Sequence, residues 1–164
     1  MSLKIIMGNM FSGKTTELVR RLKRYEVIGK RILVINSSKD TRCFEHVLRT
    51  HDNMKFDCIK TNDLNELNYQ DVDVIAIDEA QFFIGLKVFV EKVLKRGKTV
   101  ILTGLDGDYK QEKFGEILDL IPYCDNIEKL IAKCVKCNEY AIFSQRLHEN
   151  TDQVLVGSTC YIPV

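Results

Sequence analysis

An α/β fold, with a parallel sheet flanked by helices and a small strand-rich appendage, is the architecture this sequence predicts. Three observations carry it. Short apolar runs alternate with helix-spaced segments from the N-terminus to about residue 124, a pattern that makes right-handed β-α-β crossovers and a parallel sheet covered on both faces. Three of the runs end in a glycine loop or in carboxylates, which suits buried strands feeding a ligand edge. Beyond residue 124 the alternation breaks into the shorter segments NIEKLIAK, AIFSQRL and DQVLVG, punctuated by CVKC at 134–137.

Taken in order, LKIIM (3–7) is a strand running into glycines. From residue 13 to about 27, Leu18, Val19, Leu22 and Tyr25 recur at helical spacing between charges. RILVIN (31–36) is a second strand, and a polar segment with KDTR and RTHD precedes a strand expected over 54–60. A helix is expected over 62–69, with Thr61 as its cap and Leu64 and Leu67 on one side. VDVIAIDE (72–79) is a buried strand ending in two acids, 85–96 an amphipathic helix, and KTVILTGLDG (98–107) a further strand with a glycine-bearing exit.

The 164 residues suit one ordinary domain with a small addition, 45% hydrophobic and 29% charged. A net charge of +1 argues against bulk nucleic-acid or membrane binding, and the basic group Arg20, Arg21, Lys23 and Arg24 reads as a solvated helix face. No signal peptide and no membrane-length apolar run is present, so a cytoplasmic location is expected. In that compartment the six cysteines are not a disulfide framework, and Cys43 and Cys58 read as small apolar fillers.

The chemistry starts at GNMFSGKTTE, where Gly8, Gly13, Lys14 and Thr15 fit G-x-x-x-x-G-K-[ST], a phosphate-binding loop. Gly8, Asn9, Met10, Phe11, Ser12, Gly13, Lys14, Thr15 and Thr16 are the expected ATP-binding stretch. Backbone N–H groups and the helix dipole hold the phosphates there; Lys14 neutralises charge and Thr15 offers a hydroxyl to Mg²⁺. With a strand before it and a helix after it, this makes residues 1–130 a P-loop NTPase (RecA-like) nucleotide-binding domain. Residues 131–164 make up the small strand-rich appendage that carries CVKC.

Asp78, at a strand's C-terminal end, is placed to hold Mg²⁺, and Glu79 beside it suits a general base for a hydroxyl proton. On an extended strand the two would face opposite ways, so the turn at the strand's exit must bring both into the cleft. Arg42 in KDTR can spread charge over a phosphoryl group in transfer. Phe82, Tyr109 and Phe114 fall at strand ends and loops, suited to stacking on a flat base, although each taken singly also suits the core.

GNMFSGKTTEL, KDTR, THD, IDEAQFF, GLDGDYKQEKFG, CVKC and FSQRL, in this order, resemble the type II thymidine kinases, the small zinc-containing class of animals, bacteria and large DNA viruses. The resemblance covers nearly the whole chain. It implies transfer of the ATP γ-phosphate to the 5′-hydroxyl of thymidine, giving dTMP for deoxynucleotide salvage and DNA synthesis. It further implies Glu79 as the base, Arg42 on the moving phosphoryl group, and Asp78 and Asp40 around Mg²⁺. Met10, Phe82, Tyr109 and Phe114 would line the thymine and deoxyribose pocket, with Ser144 near the base's 5-methyl and Gly157 in the lid. A homotetramer and feedback inhibition by dTTP are implied as well. Gln81 lies in the same motif without an assigned role. Position 109 is usually phenylalanine in this family, so the Tyr109 hydroxyl needs a partner or water.

The C-terminus departs from the family. CVKC has zinc-knuckle spacing and needs two more ligands, yet the tail VLVGSTCYIPV supplies only Cys160, with Gly157 three positions before it. Structural Zn²⁺ is therefore expected on Cys134, Cys137 and Cys160, with water, His148 or Cys124 completing it. Relatives also carry here a further stretch of lasso loop that folds over the nucleoside. Either that stretch is deleted, leaving an open pocket, or the sequence lacks residues between roughly Gly157 and Cys160 and the intact protein is heavier than 18.9 kDa. Two other classes compete. A recombinase-like ATPase predicts hydrolysis without nucleoside, and a nonenzymatic zinc-ribbon module leaves the phosphate loop without a use.

Overall fold

The apolar runs of the sequence become adjacent strands of one parallel sheet in the computed structural model, which describes residues 1–40, 47–49 and 55–164. The elements in chain order are β1 (Ser2–Gly8), α1 (Lys14–Val27), β2 (Ile32–Ser37), β3 (Val47–Arg49), β4 (Lys55–Asp57), β5 (Ile59–Thr61), β6 (Val74–Asp78), α2 (Leu86–Lys95), β7 (Thr99–Gly104), β8 (Asn126–Leu130), β9 (Ala132–Lys133), β10 (Tyr140–Ala141), β11 (Ser144–Arg146) and β12 (Tyr161–Pro163). The six-stranded sheet has the order β5-β2-β6-β7-β1-β8, all neighbours parallel. Its register sets Ile5 beside Leu102 and Asn36 beside Asp78, so the C-terminal ends of β1, β2, β6 and β7 share one edge.

Helices cover both faces because each carries an apolar stripe at helical spacing. Leu18, Val19 and Leu22 of α1 pack with Ile6, Val34, Val74, Ala76 and Ile101. Leu86, Phe89, Val90 and Val93 of α2 pack on Leu3, Ile5, Ile75, Ile77 and Leu102. The basic side of α1 is partly neutralised: Arg20 and Arg21 both pair with Glu17, and Arg21 reaches Glu128. The pair on exposed Arg20 contributes little stability. Cys58 sits in the α1 face of the core as expected of a filler, while Cys43 lies outside the described residues. No helix among the described residues is long and apolar enough to cross a membrane.

Four sequence expectations change. The strand expected over 54–60 is two short strands: β4 pairs antiparallel with β3, and β5 joins β2 at the sheet's edge. The helix expected over 62–69 is a single 3-10 turn, Leu64–Glu66, capped by the Asp63 side chain rather than by Thr61. The run NDLNELN explains this, because Asp and Asn offer the backbone local hydrogen bonds that compete with a helix. NIEKL, grouped by sequence with the irregular tail, is instead strand β8 of the main sheet, pairing with β1.

The tail then makes two small antiparallel pairs, β9 with β10 and β11 with β12. DQVLVG, which reads as a strand, is not one. Carbonyls it would need for a ladder are taken by Arg146, which donates to the backbone oxygens of Asp152 and Gln153.

Candidate active site

The phosphate loop leaves β1 at Gly8, whose φ is +152°, and a Cβ there would lie 2.1 Å from the Leu130 carbonyl oxygen. Only glycine lets the loop pass that close to β8. Lys14 and Thr15 open α1, whose N-terminal N–H groups face the loop. Within the loop, the Ser12 hydroxyl and the Lys14 ammonium both donate to the Asn9 carbonyl, at 2.8 and 2.7 Å.

The loop is also tied to the C-terminal part of the chain. The Asn9 amide donates to the Phe143 carbonyl at 3.0 Å and accepts from the Ala132 N–H at 3.3 Å. The Met10 N–H donates to the Ser144 hydroxyl at 2.9 Å. Asn9 thus supports the loop from beneath, while Met10, Phe11, Gly13, Lys14, Thr15 and Thr16 face the cleft.

At the end of β6, Asp78 is buried, accepting from Thr15 Oγ1 at 3.1 Å and from Thr103 Oγ1 on β7. Glu79 follows with φ +51°, a left-handed conformation that costs a non-glycine residue about 1–2 kcal/mol. This turn answers the geometric question of the adjacent acids, because it breaks the strand's alternation and both carboxylates line one cleft. Gln81 Nε2 donates to Glu79 Oε2 at 2.6 Å. Asp40, also buried in the cleft wall, accepts from Asn36 Nδ2 at 3.2 Å. Arg42 lies outside the described residues.

Hydroxyl and carboxylate oxygens at Thr15, Asp78 and Asp40 are the hard donors Mg²⁺ takes, and that ion completes its shell with water and phosphate oxygens. The residues present therefore fit a magnesium ion.

The cleft has a volume of about 710 Å³. In the cleft wall, Phe82 and Phe114 meet edge to face, centroids 5.6 Å apart and planes at 88°. Tyr109 lines the same cleft, and its hydroxyl finds a partner in the Thr151 carbonyl at 2.9 Å. Ser144 and Gly157 line the cleft as well. The tail does not leave the cleft bare, since residues 153–158 form part of the wall. Arg146 holds that segment. Its guanidinium, buried and stacked 3.7 Å from the Tyr109 ring centroid, donates to the carbonyls of Asn150, Asp152 and Gln153. Gln153 in turn donates to Asp108 Oδ2 at 2.8 Å, and Tyr161 Oη donates to the Leu155 carbonyl at 2.9 Å.

The cysteines expected to hold zinc are not gathered. Among the described residues no three His, Cys, Asp or Glu side chains form a group able to hold a metal ion. Cys134 and Cys137 sit in one tight turn, where the Lys136 N–H points at the Cys134 sulfur. The N–H groups of Lys136 and Cys137 lower the Cys134 thiol's pKa. Cys160 does not complete a set with them. Cys124 is engaged elsewhere, its thiol donating to the carbonyls of Leu3 and Asn126 at the start of β1 and β8. His148 is exposed. A four-coordinate zinc is therefore not accommodated by the described residues alone.

A family model described as thymidine kinase matches residues 1–164. The chain belongs to the thymidine kinase family. The thymidine kinase of Yaba monkey tumor virus is 44% identical over 157 residues, 94% of this chain and 86% of the relative. Thymidine kinase a of Arabidopsis thaliana is 42% identical over 172 residues, 99% and 72% of the two chains. Thymidine kinase 1 of Dictyostelium discoideum is 42% identical over 162 residues, 94% and 71%. Among solved structures, domain III of the Thermotoga maritima replication initiation protein DnaA gives a TM-score of 0.43 at 18% identity, covering 78% of this chain and 54% of that one. Family membership makes this an ATP-dependent nucleoside kinase, a transferase that phosphorylates thymidine. The recombinase-like alternative gains no support from these relatives.

Several residues of this kinase site escape a reading of motifs. Thr103 lies in the apolar run TVILTG, and a hydroxyl at the buried C-terminal end of that strand is the signal it gives. Arg146, within FSQRL, and Gln153, within DQVLVG, carry no assigned role in the sequence, and Arg146 is buried.

Proposed function

We propose that this thymidine kinase moves the γ-phosphate of ATP to the thymidine 5′-hydroxyl with Glu79 as the base. The observation that carries the reading is the meeting of Lys14, Thr15, Asp78 and Glu79 in one cleft that Phe82 and Phe114 also line. The loop's N–H groups and Lys14 hold the triphosphate, with Gly8 to Thr16 as the binding stretch. The aromatic pair holds the base, with Met10, Tyr109, Ser144 and Gly157 around the nucleoside. Glu79 takes the hydroxyl proton as the oxygen attacks phosphorus and the bond to the ADP leaving group breaks. Thr15, Asp78 and Asp40 would hold Mg²⁺, which neutralises charge on the phosphates. Arg42 is assigned to the phosphoryl group by family resemblance.

Release of ADP measured with and without thymidine tests the reading. Turnover should require thymidine, and Glu79→Gln should lower kcat by about 10²- to 10⁴-fold. Hydrolysis indifferent to thymidine sinks it. By resemblance to the family we also propose a cytoplasmic homotetramer inhibited by dTTP. Light scattering and inhibition assays check those two points. Cys134 and Cys137 alone are too few ligands for a structural zinc, and metal analysis of the purified protein tests whether any is bound.

A further inference from the structure

Gln81 has a side chain with no freedom to choose its orientation. It is buried, and its Oε1 accepts the backbone N–H of Leu105 at 3.0 Å. A backbone N–H can only donate, so the oxygen end of the amide must face Leu105 and the nitrogen end must face the other way. At that end lies Glu79 Oε2, 2.6 Å from Gln81 Nε2.

The slot around this amide is built for close approach. A Cβ on Gly104 would lie 2.5 Å from Gln81 Oε1, and one on Gly115 would lie 2.4 Å from the Gln81 carbonyl oxygen. Gly115 also has φ +67°, so neither space nor backbone admits a side chain there. The residues that box Gln81 in are the two ends of the loop 104–115, which carries Tyr109 and Phe114 into the cleft.

We infer that Gln81 is a positioning residue: its amide fixes the Glu79 carboxylate and ties it to the loop that carries the nucleoside-side aromatics. The inference rests on Glu79 being the base. The Glu79 backbone is in a left-handed turn, so its side chain needs an outside anchor if the carboxylate is to stay aimed at one point. Gln81 supplies that anchor from only two residues away, and Leu105 fixes Gln81 in turn. A small displacement of the loop is thereby passed to the base. Misplacement of a reacting group by about 1 Å costs about 100-fold in rate.

Four enzymes test this: the parent, Gln81→Met, Glu79→Gln and the double variant. Gln81→Met keeps the length and loses both hydrogen bonds. It should lower kcat about 100-fold while the KM for ATP stays within about twofold, because the phosphate loop is untouched. In the Glu79→Gln background the second substitution should cost less than about threefold, because a residue acting only through Glu79 has nothing left to position. Gln81→Met with near-parental kcat, beside an inactive Glu79→Gln, overturns the positioning role alone. A Glu79→Gln enzyme with near-parental kcat overturns the base assignment itself. Effects that multiply in the double variant overturn action through Glu79. Should Gln81→Met fail to fold, Gln81→Glu serves: it keeps the acceptor for Leu105 and sets a second carboxyl against that of Glu79, so the two must share a proton and the pH dependence of the base changes. It should fold with kcat reduced at neutral pH and the kcat–pH profile shifted at unchanged KM for ATP, and a parental kcat–pH profile in that variant rejects the proposal.

Discussion

The Met10 N–H and the Ser144 hydroxyl, 134 residues apart in sequence, meet at 2.9 Å. The phosphate loop is therefore steadied by strand β11, and Ser144 has a backbone task as well as a place in the nucleoside wall. Ser144→Ala leaves a partly buried N–H without its acceptor, worth about 1–3 kcal/mol. Its KM for ATP should rise severalfold. Ser144→Thr keeps the hydroxyl and adds a methyl, which narrows the pocket and should shift the kcat/KM ratio of thymidine to deoxyuridine. An unchanged ratio rejects that size effect.

Tyr109 gives a different kind of test, because its hydroxyl bond to the Thr151 carbonyl is absent wherever phenylalanine stands at this position. Tyr109→Phe keeps the ring stacked on Arg146 and loses one exposed hydrogen bond, worth about 0.5–1.5 kcal/mol. The KM for thymidine should rise by less than about tenfold with kcat preserved. Loss of activity would show that the ring's position depends on the hydroxyl.

Asp108 predicts a pH dependence. Burial works to raise its pKa, but hydrogen bonds from Gln153 and from the N–H groups of Glu112 and Lys110 outweigh it, so the carboxyl stays below its ordinary value. A depressed folded pKa contributes stability above the unfolded value and loses it as pH falls through the folded one. The contribution should be present at neutral pH and disappear below about pH 4. Asp108→Asn should lower Tm at neutral pH and converge with the parent in acid. A constant gap across that range contradicts the linkage.

Thr103 supports Asp78 from the neighbouring strand. Thr103→Val is close in shape, removes one donor to the carboxylate, and leaves the aromatic wall unchanged. The Mg²⁺ concentration needed for half-maximal activity should shift while the KM for thymidine does not. Equal changes in both would mean that the whole strand end had moved.

Much of this site was legible in the order of residues, and the parts that were not share a cause. The phosphate loop and the Asp78–Glu79 pair announce themselves because contiguous residues do the work, at a strand end the apolar runs already mark. The left-handed turn at Glu79, by contrast, comes from how β6 meets the following segment, and no residue type there advertises it. Gln81, Thr103 and Arg146 act on partners 2, 25 and 4–7 residues away through side chains that a motif treats as filler. The tail misled for a related reason. Its apolar residues VLV suggest a strand, whereas Arg146 draws its backbone into an irregular wall.

The phosphate loop's neighbours at Leu130, Ala132, Phe143 and Ser144 lie on both sides of the domain boundary expected at residue 130. The first 130 residues and the last 34 are thus not interchangeable parts. A chimera that joins this N-terminal portion to a foreign tail must bring a carbonyl for Asn9 and a hydroxyl for the Met10 N–H. Otherwise it carries an ATP motif held only by the loop's own bonds from Ser12 and Lys14 to the Asn9 carbonyl.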